Sequence, residues 1–428
     1  MIWIFEQEMP KTYVYIHLEE GPVPAGLLEA SGAGREATAR FRYGRRYLRR
    51  EDRLALDPVQ LPLHGADIDR DYPTPEGFVL FNGIRDAAPD AWGRHVMDRA
   101  AGARALTDFD YLIATGDSRV GALAFGPDLS GPQRIVPWPA GEPDRENLDL
   151  TGMLEAVREL DTAEDLPLQH RRFLAPGSSL GGARPKATTT YDGKQWIAKF
   201  SRVVDRTPIC RIEYATMKLA AHVGLNVPPV RIETIVGQDV YLIERFDRFT
   251  EGRKERRRPF ISGLTITGAH ESESSQQSYR RLSEQLRLFG ADHKKDSQEL
   301  WRRMAFNILC SNTDDHLKNH GFLWDGKGWR LSPAYDVLPY PQVSLDRNLG
   351  VGRDGRRASM RNALSDSAGF GLSREEALSM ALAIQQAVKT SWEKVFRKNG
   401  LATADIDRLR NCFIACDEVI QDDGADGA

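Results

Sequence analysis

Asn312-Thr313-Asp314-Asp315-His316-Leu317-Lys318-Asn319, with Tyr335-Asp336-Val337 downstream, gathers carboxylates, an amide and a lysine into a few positions. Asp314 and Asn319 are five positions apart, and Asp336 follows at about the length of a strand, a turn and a second strand. A carboxylate able to take a proton, followed by an amide oxygen and a second carboxylate, suits proton transfer beside a hard cation such as Mg²⁺. The order and spacing are those with which a phosphoryl-transfer site supplies a base for a hydroxyl and two metal ligands. Such a site also needs a phosphate-holding loop and a lysine upstream, and the sequence offers both.

The bulk properties set few limits. The chain of 428 residues is long enough for two or three domains with hydrophobic cores, and 41% hydrophobic and 28% charged residues are ordinary for a globular protein. A net charge of −3 gives no global reason to expect nucleic acid as a partner. The basic runs Arg40 to Arg50 and Arg253 to Arg258 read as solvated surface. Cys210, Cys310, Cys412 and Cys416 form no CxxC pair, which fits reduced thiols. The N-terminus meets Glu6 and Glu8 too early for a secretory apolar region, and no apolar run approaches the roughly 20 residues that span a bilayer. The expected location is cytoplasmic.

The first third reads as short strands and turns. Thr12 to Leu18 alternates as a strand, Gly21-Pro22-Val23-Pro24-Ala25-Gly26 reads as a break, and Ala39 to Leu48 as a second strand. A helix opens at Pro89 or Asp90 and runs to about Ala101, and Gly121 to Gly126 is a short apolar strand. The Pro/Gly-rich run Pro127 to Pro143 marks a boundary, and a helix covers roughly Leu148 to Leu160. Asp192-Gly193 between alternating runs predicts a hairpin of Lys186 to Tyr191 with Lys194 to Ser201. Ile209 to Val223 has helical periodicity and stops at Gly224, and a further hairpin turns at Gly237. Beyond Arg258 the chain is mostly helical, with Ser373-Arg374-Glu375-Glu376 as a capping box.

Three segments can complete the opening motif. Pro176-Gly177-Ser178-Ser179-Leu180-Gly181-Gly182-Ala183-Arg184-Pro185-Lys186 is Gly-rich, so its backbone N–H groups can approach phosphates, with Lys186 adding charge. Lys199 lies inside the apolar strand Trp196-Ile197-Ala198-Lys199-Phe200, where an ammonium needs a partner such as a nucleotide phosphate or Glu213. Tyr241 to Arg248 ends the β-rich part, where a two-lobed kinase offers backbone groups to adenine. Taken singly, the first and third segments read more simply as a surface turn and a charged strand end, and the lysine equally suits an edge strand. A metal site of Asp314, His316 and His320 is a weaker reading of the same loop.

On these residues the chain resembles the HipA-type serine/threonine kinases, the toxin halves of bacterial HipA–HipB toxin–antitoxin modules. The resemblance is carried by Ser179 to Lys186, Ile197-Ala198-Lys199, Glu213-Tyr214, Gly224 to Pro228, Glu244 to Arg248, Asn312 to Asn319 and Leu331 to Val337. Pro89-Asp90-Ala91-Trp92-Gly93-Arg94 and Gly116 to Leu123 are also similar to that family. It implies an α+β, bilobal protein-kinase-like fold, related to phosphoinositide kinases, with an extra N-terminal β-rich subdomain and an all-α C-lobe. The expected parts are an N-terminal subdomain over 1–147, a kinase N-lobe over 148–249 and a helical C-lobe over 250–428. It implies ATP and Mg²⁺ as cofactors, a helix-turn-helix antitoxin of the HipB type as partner, and a translation component such as an aminoacyl-tRNA synthetase as substrate. DNA contact would come through the antitoxin.

By position, Asp314 matches the catalytic aspartate, with Lys318 available to neutralise the transferring group, and Asn319 and Asp336 match the metal ligands. Ser179, Gly181, Gly182, Lys186, Lys199, Glu213, Glu244, Phe246, His316 and Asn319 form the ATP-binding set. Ser179, or Ser178 beside it, matches the autophosphorylated serine. Two positions depart from the family pattern: Arg184-Pro185 replaces Gln-Glu, and Asp315 stands where a glycine is familiar, leaving the base open between two aspartates. A pseudokinase, or a small-molecule kinase on the same scaffold, is the alternative.

Overall fold

The computed structural model describes residues 10–32, 34–64, 69–101, 105–116, 118–133, 150–162, 184–252, 254–341 and 344–420. Two compact units emerge, one of residues 1–203 with 244–270, the other of 204–243 with 271–428.

In the first unit, β1 (Lys11–Leu18), β2 (Gly21–Ser31), β3 (Thr38–Tyr43), β4 (Asp71–Pro73) and β5 (Leu123–Gly126) form a sheet in the order β4-β3-β2-β1-β5. The expected break at Gly21 to Gly26 is instead the start of β2. Its prolines fit because Pro22 and Pro24 pair only with β1, while β3 begins to pair at Gly26; the missing N–H groups face no partner strand. The strand expected over Ala39 to Leu48 is shorter: β3 alternates strictly between exposed and buried residues and gives way to a helical turn, Arg45–Leu48. Arg40, Arg42, Arg45 and Arg50 reach solvent and pair with Asp71, Asp69 and Asp52, as a solvated basic run should.

Helices Ala91–Ala101 and Leu150–Thr162 follow the sequence pattern, and a further short helix, Asp108–Ala114, opens on a capping box of Thr107 and Asp110. The hairpin of β6 (Lys186–Tyr191) and β7 (Lys194–Phe200) turns at Asp192 and Gly193, both at positive φ (50° and 69°), the turn that matches strand twist.

In the second unit, helix Ile209–His222 ends before Gly224 at φ 88°, and the hairpin Val230–Ile235 with Gln238–Glu244 turns at Val236 and Gly237. Helices Tyr279–Phe289, His293–Leu309 and Arg374–Lys398 make its helical body. Ser278 caps the first of these, and the capping box at Ser373 and Glu376 forms as read. Trp301, Met304, Phe306 and Leu309 are buried, so the His293–Leu309 helix runs through the core. A small hairpin, Gly321–Trp324 with Trp329–Leu331, supplies the strand-turn-strand between the two polar motifs. The four cysteines are buried thiols outside any disulfide. Among the described residues no helix is long and apolar enough to cross a membrane.

Candidate active site

The helix His293–Leu309 ends at Cys310, and Ser311, at φ 51°, turns the chain sharply into the polar loop. Asn312 fixes that turn: its N–H donates to Asn307 O at 2.9 Å and its amide to Asn307 Oδ1 at 3.1 Å. A single 3₁₀ turn, Leu317–Asn319, follows His316.

The two adjacent aspartates have opposite environments. Asp315 is 3% exposed. Its Oδ2 accepts from the Tyr279 hydroxyl and faces His320 Nε2 at 3.0 Å, and Asn307 Nδ2 donates to the same tyrosine oxygen at 3.2 Å. Burial pushes its carboxyl up, but His320 and Tyr279 outweigh burial and hold it below the usual carboxylate range. Asp314 reaches solvent on one side. Burial of its other side is the main cause that raises its pKa; His316 draws it down, while Asp336 and Asp315 push it further up. The raised value places Asp336 among the charges that Asp314 feels.

Asp336 is half-buried at φ 58°, a left-handed conformation that is strained for a residue other than glycine and recurs at functional sites. The surrounding chain enforces it. On one side the Tyr335 hydroxyl donates to Lys318 O at 2.7 Å; on the other, Tyr340 N–H donates to Ser311 O at 3.1 Å. Ala334 N–H is held by Asn226 O at 2.8 Å, and Asn226 N–H by Glu299 Oε1 at 2.9 Å. Asp336 is thereby clamped to the loop that carries Asp314.

Asn319 is 4% exposed. Its amide donates to Asp314 O at 3.2 Å, so the side chain is oriented, yet its Oδ1 is buried without a hydrogen-bond partner. The same is true of Asn312 Oδ1, His316 Nδ1 and His320 Nδ1, so four such atoms fall within nine residues. Buried acceptors normally find partners, and an unsatisfied one on the loop to which a strained carboxylate is tied has the chemistry of an oxygen ligand for a hard cation. No group of three or more His, Cys, Asp or Glu side chains among the described residues could hold a metal. That removes the Asp314–His316–His320 reading, and His320 is engaged by Asp315 instead. Lys318 is exposed and pairs with Glu271.

Glu213 is 2% exposed, on the helix Ile209–His222. Burial raises the pKa of the Tyr241 hydroxyl well above its ordinary value, and the nearby charges of Glu213 and Asp336 add to that rise, which brings these three side chains into one neighbourhood.

The remaining candidates lie in the first unit. Lys199 is buried in β7, directly opposite Lys186 on β6. Two like charges across a strand pair are unfavourable unless each is engaged, and Lys186 is: its Nζ donates to Asp90 Oδ2 at 2.5 Å. Glu244 receives Lys194 Nζ at 2.9 Å on both carboxylate oxygens. Phe246 packs against Phe260, ring centres 6.4 Å apart. Ser178, Ser179, Gly181 and Gly182 lie outside the described residues. The Tyr279–Asp315–His320 network and the Tyr335 clamp were missed in the sequence. Asp315 and His320 are visible in the motif, but nothing in the sequence ties Tyr279 to them.

This is the α+β, protein-kinase-like fold of the HipA type. The HipA-like C-terminal domain family matches residues 178–392, just over half the chain, and the HipA N-terminal domain family matches residues 15–126. The chain belongs to the HipA family. It is 27% identical over 331 residues to "Putative kinase Y4mE" of Sinorhizobium fredii, covering 73% of this chain and 76% of that protein. It is 25% identical over 259 residues to the serine/threonine-protein kinase toxin HipA of Shewanella oneidensis, covering 54% of this chain and 59% of that protein. In fold it matches a chain of the Shewanella oneidensis complex of HipA, HipB and operator DNA, with TM-score 0.65, 17% identity, and coverage of 95% and 96% of the two chains.

Proposed function

We propose that this protein is a Mg²⁺-ATP-dependent serine/threonine protein kinase that acts as the toxin of a toxin–antitoxin module. The observation that carries the reading is the partnerless, buried Asn319 Oδ1 on the loop to which the strained Asp336 is clamped, with Asp314 open to solvent beside them. Asn319 and Asp336 are the oxygen donors that would hold Mg²⁺, which when bound neutralises charge on the phosphates.

Every other role belongs to side chains of this chain. Asp314, rather than the buried and engaged Asp315, accepts or orients the proton of the attacking hydroxyl. Lys318, once released from its exposed pairing with Glu271, offsets charge on the transferring group. Lys199 and Lys186, with the glycines at 181 and 182, serve the phosphates; Glu244 and Phe246 border the adenine; Glu213 and His316 complete the ATP-binding set. Ser179, or Ser178, is the autophosphorylation site. The names of the two relatives support the kinase reading, and the HipA–HipB–DNA neighbour supports a helix-turn-helix antitoxin as partner, with DNA reached through it. The substrate class is a component of translation.

The test is intact mass and peptide mapping after incubation with Mg²⁺-ATP, beside Asp314→Asn. Phosphate on Ser178 or Ser179 in the wild type alone is the expected result. A chain that binds no ATP overturns the reading. ATP bound without phosphate on the chain or on any protein of a translation extract makes it a pseudokinase.

A further inference from the structure

Two motifs of the N-terminal part, Pro89 to Arg94 and Gly116 to Leu123, have no role in the mechanism above. In the structure each holds one flank of the proposed nucleotide site. Asp90 takes Lys186 Nζ at 2.5 Å, with both side chains buried, while its other oxygen receives Gly93 N–H at 2.9 Å. Trp92 Nε1 donates to the Lys186 carbonyl at 3.1 Å. The start of β6, where the Gly-rich segment ends, is thus held by side chain and backbone together.

The second motif holds the other flank. Arg245 donates to Ser118 O at 2.8 Å and Arg119 O at 2.7 Å, and Arg248 to Gly121 O at 2.9 Å and Arg119 O at 2.6 Å. Asp247 sits between them: Arg245 donates to its two oxygens at 3.0 and 2.8 Å, Arg248 donates to it at 2.7 Å, and Gly121 N–H donates to it at 2.7 Å. Gly121, at φ 74°, lies so close to Phe260 that a Cβ would come within 3.0 Å of it, and Phe260 packs on Phe246. Two guanidinium groups around one carboxylate, all buried, are an expensive way to fill space. Apolar side chains of equal volume would avoid the desolvation cost but could not fix a backbone direction.

We propose that the N-terminal β-rich part is a built-in positioning element of the nucleotide site. Asp90 and Trp92 set the phosphate flank at Lys186, and the Ser118–Gly121 backbone sets the adenine flank through Arg245, Asp247 and Arg248. The inference rests on the kinase reading above. It accounts for the compact unit that joins 1–203 to 244–270.

The experiment titrates the full chain with Mg²⁺-ATP and with adenosine, for the wild type, Asp90→Asn, Arg245→Lys and Arg248→Lys, with thermal melting alongside. Arg→Lys keeps the charge and loses the fork. The two arginine variants weaken ATP and adenosine alike by about tenfold, the size of one charge-assisted hydrogen bond. Asp90→Asn weakens ATP by about tenfold and leaves adenosine at the wild-type value. Should one arginine variant fail to fold, the other and Asp90→Asn still decide the matter. Folded variants with wild-type affinities overturn the proposal. So does tighter ATP binding in Asp90→Asn, which would make Asp90 a competitor for Lys186, or loss of both ligands in equal measure in every variant, which is a structural role alone. A wild type that binds neither ligand refutes the kinase reading itself, before any variant is compared.

Discussion

Segments 244–248 and 312–320 are both short runs crowded with charged and amide side chains, and the structure treats them oppositely. Around Arg245, Asp247 and Arg248 the charges are buried and densely hydrogen-bonded, to each other and to the backbone of Ser118–Gly121. Around Asp314 the polar groups are only half satisfied. Asp314 reaches solvent, and Asn312, Asn319, His316 and His320 each bury an atom without a partner. A satisfied network gives up its chemistry to hold a backbone still, whereas an unsatisfied one keeps capacity for a ligand. The contrast recurs within two neighbouring residues, since Asp315 is buried and committed to Tyr279 and His320, while Asp314, hydrogen-bonded to Tyr340, reaches solvent.

The comparison breaks if substitutions in the two segments have the same kind of effect. Asp314→Asn and Asp336→Asn should each lower phosphate transfer on the order of 10³-fold or more, the upper range for a lost general base or metal carboxylate, with melting temperature near wild type. Phosphate incorporation per mole of protein, followed over time, measures it. Full activity in Asp314→Asn would move the base to another group.

Asp247→Ala should act through stability instead. Removing it leaves two buried guanidinium groups facing each other. Burial first, and then Arg245, already push the Arg248 pKa down to about 9 with Asp247 in place. A loss of about 3–5 kcal/mol is expected in denaturant unfolding followed by fluorescence. A stability change within about 0.5 kcal/mol would show that the cluster is surface-like in solution.

Asp315→Ala falls between the two. It leaves His320 and the Tyr279 hydroxyl buried without their shared acceptor, which should cost about 2–3 kcal/mol of stability. ATP affinity should stay near wild type, because Asp315 is buried and engaged by Tyr279 and His320. If Asp315→Ala were as stable as wild type but inactive, the roles assigned to the two aspartates would have to be exchanged.

Whether a residue was legible in the sequence follows the same division. That Asp314, Asn319 and Asp336 come together could be read because their spacing is local, and the chain needs only a turn and a hairpin to join them. Both hairpins at Asp192-Gly193 and Gly237 could be read because the turn chemistry is local too. The burial of Arg245 and Asp247 could not, since charged residues in a short run normally signal surface. Their distant partners are backbone groups about 126 positions away, the Ser118 and Arg119 carbonyls for Arg245 and the Gly121 N–H for Asp247, which carry no side-chain signature at all. Pro22 and Pro24 misled for a related reason. A proline excludes only the strand positions where its N–H is needed, and those depend on which neighbour strand stops where.

The smallest effect tests the electrostatics of the open segment. Asp314 must be ionised to take a proton, so activity is lost as pH falls through its pKa in the folded protein. Burial is the main cause that raises that pKa, with Asp336 and Asp315 adding to it, so the acid limb of the kcat/KM profile should lie above the ordinary aspartate value of about 3.9. His316 acts in the opposite direction, drawing the Asp314 pKa down. His316→Gln removes that pull, and the acid limb should move to higher pH whatever the change in plateau height. A limb that moves to lower pH, or does not move, would mean that the titrating group is not Asp314, and the division between an engaged Asp315 and an available Asp314 would lose its functional half.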